Sequence, residues 1–155
     1  GESATMDGNA SCGCGAVNLE VRGQPLFRCL CHCTICQRFN AAPFGDVTVF
    51  TADDVDVAAN APIDFERLRP PPNVQRGKCR ECARPAVEQA VIPFLPDLTI
   101  VPTSNLRPAD RPDPAMHIFY RHRVADVDDT LPRYDGYLSS QLAFARMLIG
   151  ALRRR

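Results

Sequence analysis

The sequence predicts one mainly β domain that ends in a helix. Three observations predict it. Short β-prone runs recur along most of the chain, and fourteen prolines against nine glycines separate them into stiff loops. All but one of the eight cysteines gather in tight groups able to staple so thin a core through bound metal.

Residues 1–10 read as a flexible N-terminus. Over 16–22, Val17, Leu19 and Val21 alternate with Asn18, Glu20 and Arg22 at the period of a half-buried strand. Residues 46–50 and 55–58 predict two more strands flanking an Asp53-Asp54 turn. Residues 87–92 and 98–101 predict a hairpin whose connection, Pro93-Phe94-Leu95-Pro96-Asp97, is closed by prolines. Another short strand is expected over 117–120, and Pro70, Pro71, Pro72, Pro102, Pro108, Pro112 and Pro114 mark irregular loops.

The helix comes last. Ser139 or Ser140 is the expected N-cap, and Leu142, Phe144, Ala145, Leu148, Ile149 and Leu152 give residues 141–152 a broad apolar surface. Arg153, Arg154 and Arg155 lie where the helix dipole favours cations. That surface predicts packing on the domain's own sheet or a homodimer contact. The plan is therefore a zinc-binding domain over 11–136 and an amphipathic helix over 137–155.

Acidic and basic residues balance at 18 each, so no global field favours nucleic acid or an anionic membrane. No apolar run approaches the roughly 20 residues of a transmembrane helix. The opening GESATMDGNAS lacks the apolar segment of a secretory signal, which predicts reduced thiols in the cytoplasm. Eight cysteines would allow roughly 105 disulfide pairings. A chain of this length, however, buries roughly 68–70% of its unfolded surface and needs no covalent framework. Metal is the better use of cysteines spaced so closely.

The groups are Cys12-Gly-Cys14, Cys31-His-Cys33-Thr-Ile-Cys36 and Cys79-Arg-Glu-Cys82. The first and last together supply four thiolates, the closed tetrahedral shell of a structural zinc. The middle group supplies three and leaves one position open, as catalytic zinc sites do. Two zinc ions are thus expected. Four thiolates on Zn²⁺ carry a formal −2 charge, which Arg76, Lys78, Arg80, Arg84 and backbone N–H groups are placed to offset. Three thiolates make the open metal a poor acidifier of water and a good host for a soft sulfur ligand. A metal-held thiol loses its proton yet stays nucleophilic, so the expected chemistry is making or breaking a carbon–sulfur bond.

The stretches SCGCGAVNLEV, LCHCTICQR, RGKCRECARP and PAMHIFYRHRVADVDDTLPRYDG resemble the glutathione-dependent formaldehyde-activating enzyme family, which includes the centromere protein V domain. The resemblance covers about residues 11–136, and its combined spacing is specific where one cluster alone would be weak. It implies a β-tent fold, structural zinc on Cys12, Cys14, Cys79 and Cys82, and catalytic zinc on Cys31, Cys33 and Cys36. It also implies a carbon–sulfur lyase that forms S-(hydroxymethyl)glutathione from formaldehyde and glutathione.

Three more residues carry expectations. His32, between two candidate ligands, is expected to point away from both sulfurs and to support them. Cys29 reads as a small buried hydrophobe. His117 reads as a core histidine or as an acid–base group reaching the site. Arg38 is the cation nearest the middle cluster, and a surface position is expected for it. A second function class stays open: a binding module whose two metals are both structural, with Cys29 completing the middle shell.

Overall fold

The computed structural model describes residues 6–67 and 73–154. The triple proline at 70–72 lies outside them. Ten strands form two sheets. In the smaller, β2 (Asn18–Gly23) pairs antiparallel with β1 (Met6–Ser11) on one side and β5 (Val55–Asp56) on the other. The larger runs β10 (Pro114–Ile118), β3 (Phe27–Cys31), β4 (Gly45–Thr51), β9 (Leu98–Pro102), β8 (Pro85–Val91), β7 (Asn73–Cys79), β6 (Ile63–Arg67). Its neighbours are antiparallel except β10, which lies parallel to β3.

Two apolar layers follow from the alternation of these strands. Leu19, Val21 and Val55 of the small sheet, with Val17 just before β2, meet Phe50, Val87 and Val101 of the large one. On the far face of the large sheet, Phe27, Val49, Leu98, Ile100 and Met116 receive α2 (Tyr137–Arg153) through Ala143, Leu148 and Ala151. Phe27 and Phe144 meet edge-on with ring centroids 5.1 Å apart. The helix thus packs on its own sheet and leaves Leu138 and Leu142 exposed.

Three expectations change. Part of the segment expected to be flexible is a strand: Met6–Ser11 pairs residue by residue with β2 and buries Ala10, while residues 1–5 lie outside the described residues. Its polar sequence hides the strand, but the backbone donors and acceptors of β2 need a partner whatever side chains that partner carries. The strand expected over 55–58 is only Val55–Asp56, and the expected turn before it is one 3₁₀ turn (Ala52–Asp54) that carries the chain from the large sheet to the small one.

The third change is the helix start. Gly136 is the N-cap and Ser139 sits three residues in, its Oγ accepting the Gly136 N–H at 3.2 Å. Ser140 is buried and spent on tertiary bonds, accepting from the Phe119 N–H at 2.8 Å and donating to the Tyr134 carbonyl at 3.2 Å. A second helix, α1 (Thr34–Asn40), is too short to show an apolar period in sequence.

Candidate metal centres

The sulfurs of Cys12, Cys14, Cys79 and Cys82 converge, all within 4.8 Å of one another. Cys12 and Cys14 leave β1 for the turn into β2, while Cys79 ends β7. Sγ of Cys12 lies 3.5 Å from that of Cys14, which lies 3.7 Å from that of Cys79. The edge of a tetrahedron of sulfurs with zinc–sulfur bonds of about 2.3 Å is about 3.8 Å. The donor set fits such an ion in both number and spacing, and all eight cysteines are free thiols.

Backbone N–H groups turn toward these sulfurs. Val17 donates to Cys12 at 3.3 Å, Ala16 to Cys14 at 3.5 Å and Glu81 to Cys79 at 3.4 Å. Burial pushes the Cys12 thiol up, but the Val17 donor and the neighbouring thiols of Cys14 and Cys79 outweigh it and bring it down to about 6. Of the four nearby cations, Arg84 is the one that crosses this cluster: its side chain lies over Gly13, where a Cβ would collide with it. Arg80 instead pairs with Asp64 at 3.0 Å. Arg76 and Lys78 turn toward the other cluster's elements, Lys78 Nζ lying 5.8 Å from the Phe39 ring of α1.

The second group is Cys31, Cys33 and Cys36. Cys31 ends β3, Cys33 is the N-cap of α1, and Cys36 lies in its first turn, so a strand end and a helix start meet at one point. Cys33 Sγ accepts the Cys36 N–H at 3.3 Å. One thiolate is favoured here. Hydrogen bonds from the Cys31 and Cys36 thiols hold Cys33 far below its ordinary value against the opposing effect of burial. The same bonds and burial hold Cys31 well above its own. No fourth His, Cys, Asp or Glu joins the group among the described residues. Cys29 belongs to the apolar core, and burial, with smaller contributions from Glu88 and Asp46, pushes its thiol up to about 12.

A buried ion pair lies alongside. Arg76 of β7 faces Glu88 of β8 in register, Nε to Oε1 at 3.0 Å. Burial lifts the Glu88 carboxyl to about 7, the Cys33 charge adding to it and Arg76 opposing it. Arg38 is exposed on α1.

His32 is fully enclosed and turns toward β10, away from its cysteine neighbours. Its Nε2 lies 2.9 Å from His117 Nδ1, and His117 Nε2 lies 2.8 Å from Asp129 Oδ2. Burial, with smaller contributions from the Arg123 and Arg133 guanidinium groups, lowers His32 to about 4. Tyr120 stands edge-on to both rings beneath the guanidinium groups of Arg123 and Arg133. Neither Asp129 nor Tyr120 nor the Arg76–Glu88 pair stands out in the sequence; only its place in the D-x-L-P end of the stretch that holds His117 points to Asp129.

The model of the glutathione-dependent formaldehyde-activating enzyme family matches residues 7–122, more than half the chain and both cysteine groups. The chain belongs to that family. A crystal structure of a Rhodobacter sphaeroides protein shares the fold, with a TM-score of 0.51 at 20% identity over 68% of this chain and 96% of that one. No curated protein matches the sequence. For this family member, the two cysteine groups are sites that could hold metal ions. No helix among the described residues is long and apolar enough to cross a membrane.

Proposed function

We propose that this chain is a zinc-dependent carbon–sulfur lyase of the formaldehyde-activating type, adding a glutathione-like thiol to an aldehyde or reversing that addition in the cytoplasm. Cys12, Cys14, Cys79 and Cys82 hold a structural zinc; Cys31, Cys33 and Cys36 hold the catalytic one. The observation that carries the reading is the three-sulfur group without a fourth protein ligand among the described residues. When bound there, zinc supplies a place where a thiol ionises at neutral pH while its sulfur remains nucleophilic.

The chain's own residues do the rest. Cys31, Cys33 and Cys36 present a triangle of sulfurs from a strand end and a helix start, elements that place side chains more precisely than loops do. In the net reaction the thiol sulfur bonds to the aldehyde carbon, the carbonyl π pair passes to oxygen, and the thiol proton ends on that oxygen. Cys29, neutral and packed in the core, disfavours the binding-module alternative, which needs it as a fourth thiolate.

A cobalt-loaded chain tests this. Glutathione should strengthen the thiolate-to-metal absorption and release a proton near neutral pH, and S-methylglutathione should do neither. A response that appears only in Cys29→Ala would overturn the open-site reading in favour of the binding module.

A further inference from the structure

On the open-site reading, a hydrogen-bonded chain from Asp129 ends in the loop between two of the zinc ligands. His32 stands between Cys31 and Cys33 and is fixed at both backbone groups: its N–H donates to the Ile118 carbonyl at 3.0 Å, and its carbonyl accepts from Gln37 Nε2 at 2.8 Å. Its ring packs on Phe44 with centroids 4.9 Å apart. Its Nε2 links through His117 to Asp129.

Asp129 is itself held. Its Oδ1 accepts from the Leu131 N–H at 3.0 Å and lies 3.1 Å from Arg133 Nη2, which leaves Oδ2 for His117. An ionised carboxylate only accepts, so His117 carries a proton on Nε2. A neutral His117 then accepts at Nδ1, and His32 must donate from Nε2. The order of donors is thereby set from one end of the chain to the other, and His32 Nδ1 keeps a bare lone pair, with no partner in the structure.

We propose that Asp129, acting through His117, fixes the tautomer and ring orientation of His32 and thereby the placement of the Cys31 and Cys33 sulfurs. Asp129, His117 and His32 are positioning residues of the open cluster. Their elements explain the arrangement. β10 lies parallel to β3, setting His117 opposite Leu30 and Ile118 opposite Cys31. The segment carrying Asp129 continues into a bridge along β10, with the His117 N–H on the Pro132 carbonyl at 2.9 Å and the Tyr134 N–H on the His117 carbonyl at 3.0 Å.

Asp129→Asn separates a directed chain from mere packing. Because Oδ1 faces two donors, the new amide nitrogen must face His117, which then accepts at Nε2, carries its proton on Nδ1, and donates to His32 Nε2. Both imidazoles invert. Nitrogen-15 NMR of the zinc-loaded chain at about pH 8, above the ordinary histidine pKa of about 6.5, reads this directly. The wild type should show Nε2–H at His32 and His117, and Asp129→Asn should show Nδ1–H at both. Chelator competition should find the open-cluster zinc bound about 10–100-fold more weakly in the variant, the usual scale for outer-shell partners, with the four-cysteine site unchanged. Asp129→Glu, which keeps the carboxylate, should restore the wild-type tautomers. A wild-type His32 protonated on Nδ1 overturns the proposal without any variant. So does inversion in Asp129→Asn that leaves zinc affinity at the open cluster untouched. Failure of glutathione to bind would sink the lyase reading while leaving the tautomer and affinity measurements standing.

Discussion

Cys14 and Cys79, 65 residues apart, bring their sulfurs to 3.7 Å and so place one contact between the two sheets. Cys14 belongs to the turn between β1 and β2 of the small sheet; Cys79 closes β7 of the large one. Between them lies the apolar layer of Val17, Leu19, Val87 and Val101. A metal on this group fastens the edge of that layer, so its binding free energy adds to folding free energy.

Cys79→Ser and Cys82→Ser should therefore lower the melting temperature sharply. A loss of ~3 kcal/mol corresponds to about 6–12 °C in a chain of this size. Cys33→Ser and Cys36→Ser should cost thiol binding and activity, with melting shifts of less than about half as much. Equal shifts in all four variants would mean that the second cluster also holds the fold together. Calorimetry of zinc-loaded protein decides it.

The three cysteine clusters are legible because their spacing is local: ligands two or three residues apart reveal themselves whatever the fold does, and a zinc's need for four ligands joins the first cluster to the third across 65 residues. The β2 alternation and the β8–β9 hairpin were legible for the same reason. Partners that meet only through topology were not. Arg76 and Glu88 join because β7 and β8 pair in one register, and Asp129 reaches His117 because residues 132–134 bridge to β10. β1 carries no sequence signal because a mostly polar strand takes its place chiefly by backbone pairing, and α1 carries none because seven residues with ligands among them show no period.

Glu88 predicts a pH dependence. Its carboxyl is raised to about 7 in the fold against an ordinary value near 4.5. Between these values the folded chain keeps a proton that the unfolded chain has released. The stability this contributes is full below pH 4.5, falls as pH rises, and is gone above about 7. Subtracting the melting curve of Glu88→Gln from that of wild type cancels the titration of other groups. The difference should decline steadily from pH 4.5 to 7 and flatten beyond; a difference independent of pH would place the carboxylate in its charged form throughout.

Ala83 follows Cys82 with φ of 62°, and its N–H reaches back to the Cys79 carbonyl at 2.8 Å. A left-handed alanine costs about 1–2 kcal/mol, and a glycine there gives back about 0.5–1 kcal/mol in unfolded-state entropy. Ala83→Gly should raise stability by ~0.5–1 kcal/mol in denaturant melts, with zinc content unchanged. A destabilised variant would show that the methyl group packs to more effect than its strain costs.

Gly45 offers a way to disturb the open cluster without touching a sulfur. It lies opposite Cys31 in the β3–β4 ladder, and a Cβ placed on it would sit 2.8 Å from Asn40 Nδ2, 3.3 Å from Cys36 Cβ and 3.6 Å from Cys36 Sγ. Asn40 has little room to yield, since its Nδ2 donates to the Cys36 carbonyl at 2.8 Å within α1. The added methyl therefore pushes on α1 at the turn that carries Cys36, while every cysteine remains. Overpacking of this kind costs about 1–3 kcal/mol when it is taken up by the fold. Gly45→Ala should weaken cobalt binding at the Cys31, Cys33 and Cys36 group and shift its visible spectrum, as the tetrahedral geometry distorts. The four-cysteine group, on the other side of the large sheet's pairing, should titrate as in wild type. A variant in which both cobalt sites weaken together would show that the two clusters are coupled through the fold; one in which neither moves would show that α1 gives way freely and that its first turn does not fix Cys36.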